Sequence, residues 1–410
     1  SYSYTYTGLT DGITYYLRVI VTDRAGNATT SIAVVQKTKE TLKADGSFNS
    51  SKGVNTPDLV DGKLTPIKWN GSSWVETTAD DSSWYSYSTS SKQWANAKTS
   101  DGSMWVWIPR FAYQISSGYH SSSAGTINIK FMNGTGNTAA DGSSSWSNKS
   151  GSGNWNIHPA FEYNGTKAGI WVAKFEASRS NATSSSTGSR STMKIQPGVQ
   201  SWRSISVSDI FDTCKSYNSS LNSHMMKNSE WGAIAYLSKS SYGINREITI
   251  NNNSSYLTGG ESENAYTSNT SQSTTGTVYG IYDINGGSYE LVAAYVNNEV
   301  GNLNYYGSSL VSAASYMKDV YNKGSSDDPI PNYAANSDTF GDAVYETSLS
   351  VSLYYTDSWY TDFSHFPSSD APFFIRGGSY GNGSHAGAFC FNETNGAANI
   401  SVGFRPVLTP

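Results

Sequence analysis

The sequence predicts an α+β chain of short strands, two helices and long loops. Three observations carry that expectation. The stretch FFIRGGSYGNGSHAGAFCFNETNGAANISVGFRPVL (373–408) sets strand signals at Phe373–Ile375, Ala388–Phe391 and Gly403–Leu408 around two polar runs. MWVWIPRFAYQI (104–115) is the strongest strand signal in the chain and reads as two core strands interrupted by Pro109. Two segments, 206–217 and 228–239, place apolar residues at helical spacing.

Taken in order, Thr14–Val21 alternates and then runs apolar, and Asp11-Gly12 and Gly26-Asn27 supply bounding turns. Lys, Asp, Gly, Ser, Asn and Pro57 make 39–65 read as a linker. PIKWNGSSWVETT (66–78) is a hairpin turning at Asn70-Gly71. Trp84–Tyr87 and Gln93–Ala95 continue as short aromatic strands, so 66–100 reads as a small hairpin region. Residues 116–155 are rich in Ser, Gly and Asn and read as an insertion, with strand signals at Thr126–Phe131 and Trp146. GIWVAKFEAS (169–178) is a strand with Ile170, Val172 and Phe175 apolar, and the low-complexity stretch 178–192 reads as a mobile loop.

Ser206 and Asp209 match a capping box ahead of the stripe Ile210, Phe211, Cys214 and Tyr217. The second helix, about 228–239, sets Trp231, Ile234 and Ala235 on one face, with Asn228 or Ser229 as cap and Gly243 beyond its end. Residues 244–275 are polar and loop-like. Asp283 to Gly287 is a turn that re-aims the chain into a strand at Tyr289–Tyr295. Residues 298–372 form a long, mostly irregular insertion with a helix at Val311–Tyr321, and the aromatics of 340–345 and 354–360 cover the sheet. Gly377 and Gly378 permit backbone angles that a β-carbon forbids, so a turn or bulge follows Arg376.

The 410 residues are enough for two or three domains and a sizeable core. Charged residues are 14% and aromatics 13%, with 29 Tyr and 12 Trp, so the chain has the burial that a disordered segment lacks. Tyr with Ser, Asn and Gly suits extracellular β-rich adhesins and antibody-like contact surfaces, though any β-rich, loop-rich globular protein shares it. A net charge of −5 with scattered Lys and Arg leaves no nucleic-acid footprint. No stretch is apolar enough to span a bilayer. Cys214 and Cys390 sit in apolar patterns and read as buried free thiols, while a disulfide between them stays open. The start SYSYTYTG has neither Met nor a leader pattern, so the chain reads as part of something longer or a processed product.

Two resemblances follow from quoted pieces. GLTDGITYYLRVIVTDRAGN resembles the last strands of a fibronectin type III or immunoglobulin-like domain, which makes 1–38 half of such a module. RGGSY followed by GFR resembles the end of the formylglycine-generating-enzyme/sulfatase-modifying domain, of C-type-lectin type. The same fold carries the variable proteins of diversity-generating retroelements. GIWVAKFEAS, the helix from Ser206, NSEWGAIAYLS (228–238) and GTVYGIYDINGGSYELVAAYV (276–296) fit that family in order, so the resemblance covers roughly 100–410 and makes 101–410 one domain.

The oxygenase members of the family bind copper through two Cys, at positions that here are Asn382 and Gly387; neither supplies the soft ligand that copper(I) takes. His120, His158, His224, His365 and His385 show no metal-ligand spacing, and no GxSxG elbow or phosphate loop is present. Glu290 near Asp283 reads as structural or as a calcium turn; the Asp- and Asn-rich turns would admit a structural Ca2+, and no other cofactor is expected. A glycan hydrolase with carboxylates distant in sequence stays open. The expectation is therefore a non-enzymatic binding protein.

In the retroelement-diversified members, the resemblance implies, side chains of the C-terminal segment (376–405 here) project as a ligand-binding face. The residues that carry the expectation are Tyr380, Asn382, Ser384, His385, Asn392, Glu393, Thr394, Asn395, Asn399 and Ser401, with Ala397 and Ala398 between them. Arg376, Gly377, Gly378, Phe389, Phe391, Gly403, Phe404 and Arg405 read as framework. The plainer reading is a set of ordinary polar loop residues with no diversity mechanism. The expected partner is a host cell-surface protein or glycan, met by a homo-oligomer, a trimer, at a phage tail tip or tail fibre. A bacterial surface adhesin or a fibre subunit is the alternative.

Overall fold

Met104–Pro109 is buried along its whole length: it is an inner strand of a sheet, and its side chains are covered on both faces. The computed structural model describes residues 5–7, 9, 14–37, 44–260, 263–351 and 355–410. The protein is a mixed α+β structure. Its largest sheet has seven antiparallel strands: His224–Met225, Pro406–Leu408, Gly169–Ala173, Met104–Pro109, Asn96–Lys98, Thr65–Trp69 and Trp74–Glu76, in that spatial order. Val106 faces Val172 and Trp107 faces Trp171 at its centre. Pro109 ends one strand, and Phe111–Ser117 begins a separate three-stranded sheet with Thr126–Phe131 and Trp155–Ile157. The interruption read at Pro109 is thus a change of sheet.

The other large sheet has five strands. Asp319–Tyr321, Tyr289–Val296, Phe373–Gly377 and Gly387–Thr394 follow one another, and Val402–Phe404 also pairs with Tyr289–Val296. The last strand expected at 403–408 is split. Val402–Phe404 belongs to the five-stranded sheet and Pro406–Leu408 to the seven-stranded one, so the chain crosses between them at Arg405. The crossing leaves a guanidinium in the interior. It is held by Glu290 (Nε and Nη2, 3.0 and 2.6 Å), by the Ala173 carbonyl (2.8 Å) and by the Tyr282 carbonyl (2.9 Å).

Helix α1 (Val207–Tyr217) buries Val207, Ile210, Phe211 and Cys214, as its stripe requires, and the Ser206 hydroxyl accepts from the Asp209 N–H. Helix α2 (Asn228–Lys239) is buried on every side from Asn228 to Ser238, beyond the single face read from its pattern. Its start is capped by two carboxylates, one from its own first turn and one from a distant strand. The Glu230 carboxylate accepts from the Lys227 N–H (2.8 Å) and Asp319 from the Ser229 N–H (2.6 Å), in place of a cap by Asn228 or Ser229.

Other expectations are revised. Residues 44–65 are not a tether: Val54, Leu59 and Leu64 are buried, and the Asn55 carbonyl accepts from the Trp107 indole. The hairpin read at 66–78 is present, Thr65–Trp69 pairing with Trp74–Glu76, but 66–100 is not a separate region, because these strands and Asn96–Lys98 belong to the main sheet. The helix read at Val311–Tyr321 stops at Ser312, and Asp319–Tyr321 is a strand parallel to Tyr289–Val296. Residues 178–192 are closed at the base by Ser178–Arg179 pairing with Met193–Lys194. Cys214 and Cys390 are free and buried.

Residues 14–37 form one long hairpin. Thr14–Leu17 pairs with Val34–Lys37 and Ile20–Thr22 with Ala28–Thr30, with a one-residue slip that sets Ile32 and Ala33 opposite Arg18. Val19, Ile20, Val21 and Ile32 are each more than 60% exposed, so this hairpin buries little of its apolar surface. The Asp11-Gly12 turn lies outside the described residues.

Candidate functional site

Every residue read as C-terminal framework is buried, including Arg376 and Arg405 at 0% exposure. A charge inside an apolar strand is costly unless most of its donors are matched, and among the described residues all but Nε of Arg376 find a partner. Arg376 Nη1 donates to Asn228 Oδ1 (2.8 Å) and the Asp342 carbonyl (3.1 Å), and Nη2 to the Ala343 carbonyl (3.0 Å). The strand register breaks between Arg376 and Gly377, as the glycine pair implied. Gly378 has φ +70°, and a β-carbon there would lie 2.6 Å from Ala386. Gly387 is pressed against Asp362, whose carboxylate accepts from the Phe389 N–H (2.9 Å). Burial pushes the Asp362 carboxyl well above the usual range.

The first polar run sits on this frame as a short helical turn, Tyr380–His385. Asn382 faces partly inward: its Oδ1 accepts from the Ser379 N–H (2.7 Å) and hydroxyl (3.0 Å) and so fixes the turn. Tyr380 is half-buried and its N–H donates to the Gly287 carbonyl (2.9 Å). Ser384 and His385 are exposed, and His385 Nδ1 lies 3.1 Å from the Thr361 carbonyl.

The second run is shorter than the sequence implied. Asn392, Glu393 and Thr394 continue the strand Gly387–Thr394, opposite Ile375, Phe374 and Phe373, and are half-buried. Glu393 accepts from the Ser368 hydroxyl (2.7 Å), and burial raises its carboxyl above the ordinary value. The displayed loop therefore begins at Asn395. Asn395 and Asn399 are exposed and use their Oδ1 atoms to hold the turns, accepting from the Ala397 N–H (3.0 Å) and the Ser401 N–H (2.8 Å). The N-terminus of α1 docks on this loop, with the Val207 N–H donating to Gly396 O (3.0 Å).

The loop returns to the end of the sheet where the first run begins, since Val402 pairs with Tyr289 while Arg376 pairs with Glu290. Tyr256, from the polar stretch 244–275, joins the two runs there. Its ring meets Tyr380 edge to face (centroids 4.9 Å), and its hydroxyl lies 3.0 Å from the Ser401 hydroxyl. The Arg203 guanidinium lies 3.8 Å from the Tyr256 ring centre and hydrogen-bonds the Ile400 carbonyl. Tyr380 and Ser401 are thereby brought together, whereas Glu393, Thr394 and Asn395 lie toward the other end of the strand. A cleft of about 520 Å³ opens beside the first run, lined by Gly383, Ser384, Arg246, Ile248 and Asn252 among others. Burial pushes the neighbouring Tyr289 phenol up to about 12, with Asn382 and Asn392 near its hydroxyl.

Tyr256 and Arg203 were not singled out from sequence. A lone Tyr within NNNSSYLTGG was the available signal, because an aromatic in so polar a run must find burial somewhere.

Among the described residues no three His, Cys, Asp or Glu side chains converge to hold a metal ion. At the turn read as a calcium candidate, Asp283 accepts from the Gly259 N–H (2.8 and 3.0 Å) and from Asn251 Nδ2 (2.9 Å). Its neighbour Glu176 accepts from the Ser288 N–H (2.8 Å) and hydroxyl (2.7 Å). These carboxylates are buried and taken up by the fold. No helix among the described residues is long and apolar enough to cross a membrane.

No protein-family model matches the chain, and a search of the curated proteins finds no relative.

Proposed function

We propose that the chain is a receptor-binding protein that meets a host surface protein or glycan with the exposed loops at its C-terminal end. In this reading it is a non-enzymatic, C-type-lectin-type adhesin displayed outside the cell, at a phage tail tip or fibre, in several copies. The supporting observation is the junction at Tyr256. Two polar runs separated in sequence become one surface through the Tyr380–Tyr256–Ser401 contacts, with Arg203 adding positive charge. Rigid tyrosines flanked by Ser, Asn and Gly are the composition of a recognition surface, where aromatic area costs little entropy and small polar residues adapt. The order of elements also supports the fold reading: a buried strand, two helices, the Asp283 turn into a long strand, then the C-terminal hairpin.

The test is binding of the purified chain to intact bacterial cells and to an immobilised glycan panel. Alanine at Tyr256, Tyr380, Ser384 and Asn399 together is expected to reduce binding about tenfold or more while the circular dichroism is unchanged. Equal binding by the variant and the parent would move the recognition surface elsewhere, and binding to no member of either panel would count against the adhesin reading.

One observation favours a second reading, a fibre or filament subunit. The 14–37 hairpin exposes Val19, Ile20, Val21 and Ile32, and a two-stranded ribbon alone is marginal in water. Strands supplied by another chain would cover it. Loss of self-association on removal of residues 1–37 is the outcome that reading requires.

A further inference from the structure

We propose that the cleft between the 137–148 loop and the Ile157–Thr166 segment is a second ligand site, one that takes a carboxylate-bearing sugar. It shares no residue with the C-terminal surface and does not depend on that reading. The cleft measures about 500 Å³. Arg110 lines it, at the point where the chain leaves one sheet for another. The residue is 2% exposed. Its Nη1 donates to the Gly136 carbonyl (2.5 Å), while among the described residues the buried Nε donates to nothing. It forms no ion pair among the described residues. Burial disfavours its charge and the Glu162 carboxylate nearby favours it, at more than ion-pair distance. A buried guanidinium with an unused donor is costly until it is paired, and its planar fork fits a carboxylate.

The rest of the lining supplies a place for a sugar ring. Trp146 is held by its indole N–H on the Asn137 carbonyl (2.6 Å), and Phe340 and Pro159 add apolar wall. Such a wall suits the C–H face of a pyranose. Glu162 is exposed at the cleft and accepts from the Thr166 hydroxyl (3.0 and 3.1 Å). It can also accept from a sugar hydroxyl. His158 lines the same cleft but carries no charge near neutrality, because burial pulls it down to about 3. Arg110 is therefore the cationic group there.

The experiment titrates the full chain with glucuronic acid, glucose and acetate, read by tryptophan fluorescence and calorimetry. Glucuronate is expected to bind about tenfold more tightly than either glucose or acetate. Trp146→Ala should weaken glucuronate about tenfold. Glu162→Gln, which keeps an acceptor and removes a negative charge, should tighten it. Arg110→Lys should erase the preference over glucose; if that variant does not fold, the Trp146 and Glu162 variants carry the test. Tyr256→Ala should leave glucuronate binding unchanged. The proposal is overturned if glucuronate does not bind, if glucose or acetate binds as well, if Trp146→Ala has no effect, or if Glu162→Gln weakens the acid. Loss on Tyr256→Ala would also overturn it, by placing the sugar at the C-terminal surface.

Discussion

Removing the Arg405 guanidinium would leave the Glu290 carboxylate buried with its charge unpaired. Arg405→Met is expected to destabilise the protein by about 3–5 kcal/mol, read as a shift in urea midpoint. Adding Glu290→Leu should recover part of the loss, and a double variant no more stable than the single would show that the pair is not the cause. Tyr256 makes a different kind of contribution. Tyr256→Phe keeps the Tyr380 contact and loses the Ser401 bond, for about 1 kcal/mol. Tyr256→Ala should loosen both runs, seen as faster amide exchange at 380–385 and 399–401 with little change elsewhere. Sequence legibility differs between these residues for a physical reason. Both arginines, inside FFIRGG and VGFRPVL, stand in the framework that the family resemblance implies, and a charge in so apolar a run has to be matched by the fold. Tyr256 has partners more than a hundred residues away, and no local pattern announces them.

The C-terminal hairpin depends at the level of the element on the glycine pair after Arg376. Gly378→Ala places a β-carbon 2.6 Å from Ala386 on a residue at φ +70°. A cost of about 1–3 kcal/mol is expected, measured by chemical unfolding, together with displacement of the Tyr380–His385 turn. An alanine variant with unchanged stability and loop exchange would show that the turn does not need that geometry. Glycine pairs are legible because the demand is local. The misread elements were set from a distance. Residues 44–65 have linker composition, yet buried Asn55 receives the Trp107 indole proton at its carbonyl and donates its amide to Ala168 O (2.8 Å). Asp319–Tyr321 lies in a stretch read as helix, but strand pairing with Ala294–Val296 and the Asp319 bond to the start of α2 override local preference. Asn392 to Thr394 are polar and still belong to a strand, because their partners Phe373–Ile375 hold the inner position of the sheet.

At the scale of the whole molecule, the interior holds many carboxyls, and burial pushes most of them up; Glu230 is the exception, where the effect of burial is outweighed by His224 and Lys227, which hold it below its ordinary value. Glu176, Asp283, Glu290, Asp319, Asp342 and Asp362 are all pushed above their ordinary values. Glu346 is pushed up to about 7. Burial is the main cause there, opposed by hydrogen bonds to Oε2 from Tyr113 (2.6 Å), Gly341 N–H (2.8 Å) and Tyr236 (2.9 Å). The unfolded reference is 4.5, so between pH 4.5 and 7 the folded protein holds a proton that the unfolded chain has released. Stability then falls as pH rises across that window, and Glu346 alone accounts for about 3 kcal/mol. The contribution is complete below pH 4.5 and is lost as pH passes 7. Glu346→Gln keeps an acceptor for Gly341 and the two tyrosines and cannot titrate. Its urea midpoint should therefore vary less between pH 4.5 and 7 than the parent's, with the two proteins closest at the acid end. A parallel pair of curves would mean that Glu346 titrates alike in the folded and unfolded states, and that the Tyr113–Tyr236 pocket is wet.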